Sequence, residues 1–126
     1  MARILIVDDE DLVRTTLRQA LETADHEVLE AANGKEALEV LENHGLDLVI
    51  ADIVMPVKEG VETIVELRQR RPDLKIIAIS GGGRTGNLDY LELARKFGAD
   101  KTLSKPFEID EIRLLVNETL DVAKQV

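Results

Sequence analysis

The chain has no cysteine, only three aromatic residues, and too few basic residues to balance its acids. Without cysteine there is neither a disulfide framework nor thiolate chemistry. The apolar runs are all strand-sized, so no stretch is long enough to span a bilayer as a helix. The N-terminus enters a strand pattern without the features of a signal peptide. A cytoplasmic protein is therefore expected. Sixteen Lys and Arg stand against 25 Asp and Glu, a net charge of −9. Phosphate contacts need a basic face, so this balance argues against direct binding of nucleic acid. What remains is 126 residues, enough for one domain (1–126) that buries a core without staples.

Against that background, Leu46 to Ile53 is an apolar run interrupted only by Asp47 and Asp52, followed by Val54-Met55-Pro56. A strand apolar on both faces belongs inside a parallel sheet covered by helices. Arg3 to Val7 is a second such run, ending on Asp8-Asp9-Glu10-Asp11, and Lys75 to Ser80 is a third. His26 to Ala31 is shorter and less apolar, which predicts an edge strand, and Ala99 to Ser104 predicts a brief fifth strand.

Helices are expected between them. Val13, Leu17, Ala20, Leu21 and Ala24 recur at helical spacing to about Asp25. After the Asn33-Gly34 turn, Lys35 to His44 forms a helix with Ala37, Val40 and Leu41 inward, stopped by Gly45. Val61, Ile64, Val65 and Leu67 mark a third helix, ended by Pro72. Leu88 to Phe97 is a fourth, stopped by Gly98. Ile109 to Ala123 is the fifth, with Ile112, Leu115, Val116, Thr119 and Leu120 on one face. Alternation of five strands with five helices predicts an α/β, doubly wound parallel sheet with helices on both faces.

Two strand arrangements fit this count. In the flavodoxin-like order 2-1-3-4-5, the ligand crevice lies where the first and third strands part. Those strands end at Asp8-Asp9 and at Asp52, so that topology brings two distant groups of acids together. Capping of a helix start explains one or two of the acids after the first strand, without requiring all four. Several carboxylates in one crevice repel one another unless one keeps its proton or a cation joins them. Mg²⁺ suits the need, since it takes oxygen ligands and commonly one or two carboxylates with a phosphate. Ser80 and Lys105 close the neighbouring strands with a hydroxyl and an ammonium. Together these groups suit a phosphoryl group carried on a carboxylate.

Asp8-Asp9, Asp52 followed by Met55-Pro56 and Gly60, Ser80, and Lys105-Pro106-Phe107 resemble the signature of response-regulator receiver domains of two-component signalling. The resemblance covers essentially the whole chain. It implies that Asp52 accepts a phosphoryl group from the phosphohistidine of a histidine kinase or histidine phosphotransferase. It implies Asp9 as a direct Mg²⁺ ligand, Asp8 as its water-mediated companion, and Val54 as the donor of a backbone carbonyl to the metal. Ser80 resembles the switch hydroxyl, and Lys105 the lysine that pairs with the phosphoryl charge, ahead of a cis bond to Pro106. Such a receiver catalyses its own phosphorylation and dephosphorylation. It signals by altering a docking face made by the fourth helix, fifth strand and fifth helix.

The chain departs from the family in two places. Thr102 stands where an aromatic residue usually accompanies the switch hydroxyl. Gly82 stands where a larger polar residue is common, which leaves the phosphoryl group open to water and favours fast turnover. Three rival readings fit parts of the pattern. Gly81, Gly83 and Gly86 fit the dinucleotide pattern G-x-G-x-x-G, but the next strand ends in Ser104-Lys105 and offers no acid for a ribose. A Mg²⁺-dependent aspartyl phosphatase resembles D-x-D at its nucleophile, and here Val54 occupies the second position. A non-phosphorylated receiver-like interaction module keeps the fold without the chemistry. His26 and His44 read as surface or capping residues, and Tyr90 and Phe97 as packing or docking-face residues. The starting Met and the lack of a linker favour a stand-alone receiver over a trimmed piece.

Overall fold

In the computed structural model of the chain, the described residues are 2–53, 57–80, 92, 94–105 and 107–124. Five strands form one sheet: β1 (Arg3–Val7), β2 (Glu27–Ala31), β3 (Leu48–Asp52), β4 (Lys75–Ser80) and β5 (Lys101–Ser104). Their order is β2-β1-β3-β4-β5 and every pairing is parallel. This is the expected order 2-1-3-4-5, with β2 on an edge as its mixed composition requires.

The helices are α1 (Asp11–Thr23), α2 (Gly34–Asn43), α3 (Val57–Arg70) and a C-terminal helix (Ile109–Lys124). Alternation along the buried strands divides the core in two. Leu5, Val7, Val49, Ala51, Ile76 and Ala78 face Ala37, Leu41, Ile64 and Leu67 of α2 and α3. Ile4, Ile6, Leu48, Ile50, Ile77 and Ile79 face Leu17 and Leu21 of α1 and Ile112 and Val116 of the C-terminal helix. Each Val, Leu or Ile among them contributes roughly 1.5–3 kcal/mol on leaving water, so both faces hold the sheet in register.

Several boundaries differ from expectation for local reasons. Helix α2 begins at Gly34, because the Asn33 side chain accepts the Glu36 N–H at 2.9 Å while Glu36 reaches back to the Ala32 N–H at 2.8 Å. It ends at Asn43 with His44 already extended, and Gly45 is not left-handed, so no glycine turn stops it. Val40 is half-buried and packs against the same core as Ala37 and Leu41, as expected. Helix α3 starts before Val61, and within it Val61 and Val65 are half-buried while Thr63, Ile64 and Leu67 are buried. Helix α1 ends at Thr23; Asp25, at φ +67°, makes the left-handed turn that follows.

Residues 92 and 94–96 are helical, and Gly98 with φ +135° closes that segment as expected. The remainder of the expected fourth helix, with Tyr90, lies outside the described residues. So do Val54, Met55, Pro56, the Gly81 to Gly86 loop and the bond to Pro106. Phe97, just past the helical turn, is 45% exposed. His26 is half-buried and accepts the Ala2 N–H on Nδ1 at 3.1 Å, so it joins β2 to the chain start and is no mere surface residue. His44 is exposed at the end of α2, as expected. Among the described residues no helix is long and apolar enough to cross a membrane.

Candidate functional site

The site is built by register. Val7 pairs with Ala51, so Asp8 and Asp52 lie side by side at the carboxyl ends of β1 and β3. Ser80 pairs with Ser104, and the Lys105 N–H donates to the Ser80 carbonyl at 2.7 Å. Four neighbouring strand ends thus present acid, acid, hydroxyl and ammonium on one edge of the sheet.

Lys105 joins the two acids. Its Nζ lies 2.9 Å from Asp52 Oδ2 and 3.3 Å from Asp8 Oδ2. Both carboxylates are nearly out of water, at 2% exposure for Asp8 and 4% for Asp52. Asp8 is held at every polar atom. Its N–H donates to Ala31 O at 3.1 Å, its Oδ1 accepts the Glu10 N–H at 2.8 Å, and its carbonyl accepts Arg14 Nη1 at 2.5 Å. Ser80 Oγ is fully buried and has no hydrogen-bond partner among the described residues. A buried hydroxyl left without a partner costs about 1–3 kcal/mol.

The charges are unbalanced. Burial pushes the Asp8 carboxyl up to about 6, helped by the Asp52 carboxylate and opposed by the Glu10 N–H and by Lys105. Burial alone would lower the Lys105 ammonium, but its bonds and charge interactions with Asp52 and Asp8 outweigh this and hold it above its ordinary value. One ammonium faces several carboxylates: oxygens of Asp8, Asp9, Glu10 and Asp52 all lie within 4.8 Å of one another. This all-oxygen, charge-deficient set fits a hard divalent cation, to which such groups bind without a soft donor.

Of the residues expected from the sequence, Asp8, Asp9, Asp52 and Lys105 are brought together, and Ser80 ends the adjoining strand. Val54 lies outside the described residues. The expectation that the acids after β1 include a helix cap is corrected. Glu10 occupies the cap position without a side-chain cap bond, and its N–H donates to Asp8; Asp11, exposed and paired with Arg14, is the acid in the first turn, where the helix dipole favours it. Glu10 and Arg14 were not foreseen as site residues. The only sequence signal for Glu10 is its place next to the acid pair, and Arg14 resembles any surface helix residue until the turn before α1 is known.

Thr102 does not stand alone at the position expected to be aromatic. Its Oγ1 accepts Arg95 Nη2 at 3.3 Å, a polar link between the helical segment before Gly98 and β5.

Residues 4–117 match the family described as response regulator receiver domain. The chain is 39% identical over 122 residues to the sensor kinase CckA of Brucella abortus, covering 95% of this chain and 13% of CckA. It is 33% identical over 118 residues to the chemotaxis protein CheY of Halobacterium salinarum, covering 94% of this chain and 96% of CheY. A CheY-like receiver domain protein from Methanospirillum hungatei superposes with a TM-score of 0.87 at 32% identity, over 99% of this chain and 98% of that one. The chain therefore spans nearly the whole of some relatives and a small part of others. By sequence and by fold, it belongs to the response regulator receiver domain family of two-component signalling.

Proposed function

We propose that this chain, residues 1–126, acts as a phosphorelay receiver whose acceptor is Asp52. The observation that carries the proposal is the Lys105 ammonium shared between Asp52 and Asp8 at 2.9 and 3.3 Å, inside a group of four carboxylates. The donor is the phosphohistidine of a histidine kinase or histidine phosphotransferase. A carboxylate oxygen of Asp52 attacks phosphorus and the new O–P bond forms as the N–P bond breaks. The imidazole nitrogen keeps the electron pair and takes a proton from solvent.

Asp8, Asp9 and Asp52, with the backbone carbonyl that the family resemblance assigns to Val54, would hold Mg²⁺, which would supply positive charge for the incoming phosphoryl oxygens. The chain's own groups do the rest. Lys105 turns from the carboxylates to a phosphoryl oxygen, and the Ser80 hydroxyl, which has no hydrogen-bond partner among the described residues, donates to another. Positioning and charge neutralisation suffice for this chemistry, which needs no general base. A phosphoryl group adds about −1.5 to −2 charge, enough to bias two packings of the domain. The output is the docking of a protein target on the face of the helix expected over 88–97, β5 and the C-terminal helix. With Thr102 bonded to Arg95, coupling to that face runs through a polar contact instead of an aromatic ring. A cytoplasmic setting follows from the reading.

The test is incubation with a small-molecule phosphodonor and Mg²⁺, followed by intact mass. Wild type gains one phosphoryl group and Asp52→Asn gains none. A gain that survives the substitution moves the acceptor elsewhere, and no gain in wild type with donor or kinase favours the interaction module.

A further inference from the structure

We propose that Arg14 is a positioning residue for the divalent-cation site, acting through the backbone between Asp8 and Asp9. The inference rests on the function proposed above. Arg14 lies in the first turns of α1, and its side chain is 13% exposed. Its guanidinium faces three elements at once. Nη1 donates to the Asp8 carbonyl at 2.5 Å, Nε to Glu30 Oε1 of β2 at 3.0 Å, and Nη2 to the Asp11 carboxylate. Arginine alone can do this, because its donors form a rigid planar fork.

The carbonyl that Arg14 holds belongs to the same peptide plane as the Asp9 N–H. Fixing that oxygen fixes the plane from which the Asp9 side chain departs. The other polar atoms of Asp8 are already tied, to Ala31, Glu10 and Lys105. Arg14 is the contact that fixes the exit from Asp8 into Asp9, which is half a turn from the helix and exposed. Neighbouring Arg18 provides a built-in comparison. It also pairs with Glu30, and with Glu22, but its guanidinium reaches the Val28 carbonyl and not Asp8.

Charge and geometry predict opposite signs. A cation near the site repels Mg²⁺, so removing Arg14 for its charge alone would tighten Mg²⁺ binding. Removing a group that orients a ligand weakens binding, typically tenfold or more for contacts behind a metal's direct ligands. Isothermal titration of Mg²⁺ into the unphosphorylated protein separates the two. Arg14→Gln is expected to bind roughly tenfold more weakly, and Arg14→Lys, which keeps the charge but not the fork, severalfold more weakly. Arg18→Gln, which loosens the same α1–β2 contact, stays within about twofold of wild type. Thermal melts establish that each variant is folded; should Arg14→Gln not fold, Arg14→Lys decides.

Unchanged or tighter Mg²⁺ binding by a folded Arg14 variant would overturn the proposal. So would an equal loss in Arg18→Gln. Failure of wild type itself to bind Mg²⁺ or to be labelled at Asp52 would instead sink the functional reading, so the two failures are distinguishable.

Discussion

Lys105 Nζ sits 2.9 Å from Asp52 Oδ2, across 53 residues of chain, and 3.3 Å from Asp8 Oδ2. The ammonium thus occupies the charge-deficient side of both buried acids before any phosphoryl group arrives. It also competes with a divalent cation for the same oxygens. Lys105→Met is therefore expected to bind Mg²⁺ more tightly, while losing about 3 kcal/mol of stability in its absence because two buried carboxylates lose the positive charge that they share. Calorimetric Mg²⁺ titration and urea unfolding without divalent ions check the pair of effects; weaker Mg²⁺ binding would contradict it.

Asp8 links that balance to pH. Its carboxyl is raised to about 6 in the fold against 3.8 as a free group, chiefly by burial. The unfolded chain gives up this proton first, so stability in metal-free buffer falls as pH rises from about 4 to about 6 and is then level. The loss is on the order of 2–3 kcal/mol. Asp8→Asn is expected to flatten the profile over this interval and to be the more stable protein at pH 8. Mg²⁺ affinity runs the other way, declining below about pH 6 as Asp8 takes up its proton.

Gly60 shows how close helix α3 comes to the site. A Cβ there would lie 2.8 Å from Ile53 Cα, directly after Asp52. The obstacle is backbone, which cannot swing aside. Gly60→Ala is expected to cost about 1–3 kcal/mol in chemical unfolding and to slow labelling of Asp52. A variant with wild-type stability would contradict the packing.

Asp25 holds a left-handed conformation at φ +67°, where the chain turns from α1 to β2. The Asp25 N–H donates to Glu22 O at 3.0 Å and the His26 N–H to Leu21 O at 3.1 Å, a helix-ending turn that favours glycine. Asp25→Gly is expected to raise stability by about 0.5–1 kcal/mol with labelling unchanged.

His26 titrates in the opposite sense to Asp8. Burial lowers its pKa, and its Nδ1 accepts a backbone N–H, so the neutral ring belongs to the fold. Its contribution is complete above the unfolded value of about 6.5 and is lost as pH falls through the folded one. Measured in Asp8→Asn, where the carboxyl no longer interferes, stability should drop on acidification, and His26→Gln should remove that drop.

The buried strands were readable from the sequence because β3 and β4 are buried at nearly every position, and only a sheet covered on both faces permits that. The same pattern led to the meeting of Asp8 with Asp52, since strand ends follow from strand order. What hydrophobic spacing missed was polar. Thr63 is buried on α3 against the close-packed Gly34, whose Cβ would fall 2.1 Å from Thr63 Oγ1. Glu10 joins the acids because Asp8 Oδ1 takes its N–H and turns the chain. Arg14 reaches back six residues to a carbonyl. Such contacts depend on the path of a turn, and residue type alone does not encode it.

The central claim is that Asp52, and no other carboxylate of the four, carries the phosphoryl group. Borohydride reduces an acyl phosphate to an alcohol and so converts a phosphorylated aspartate to homoserine. After phosphotransfer from a phosphorylated histidine kinase, reduction and peptide mapping should find homoserine at position 52 alone. Homoserine at position 8 or 9, or none in a protein shown to have gained a phosphoryl group, would contradict the account.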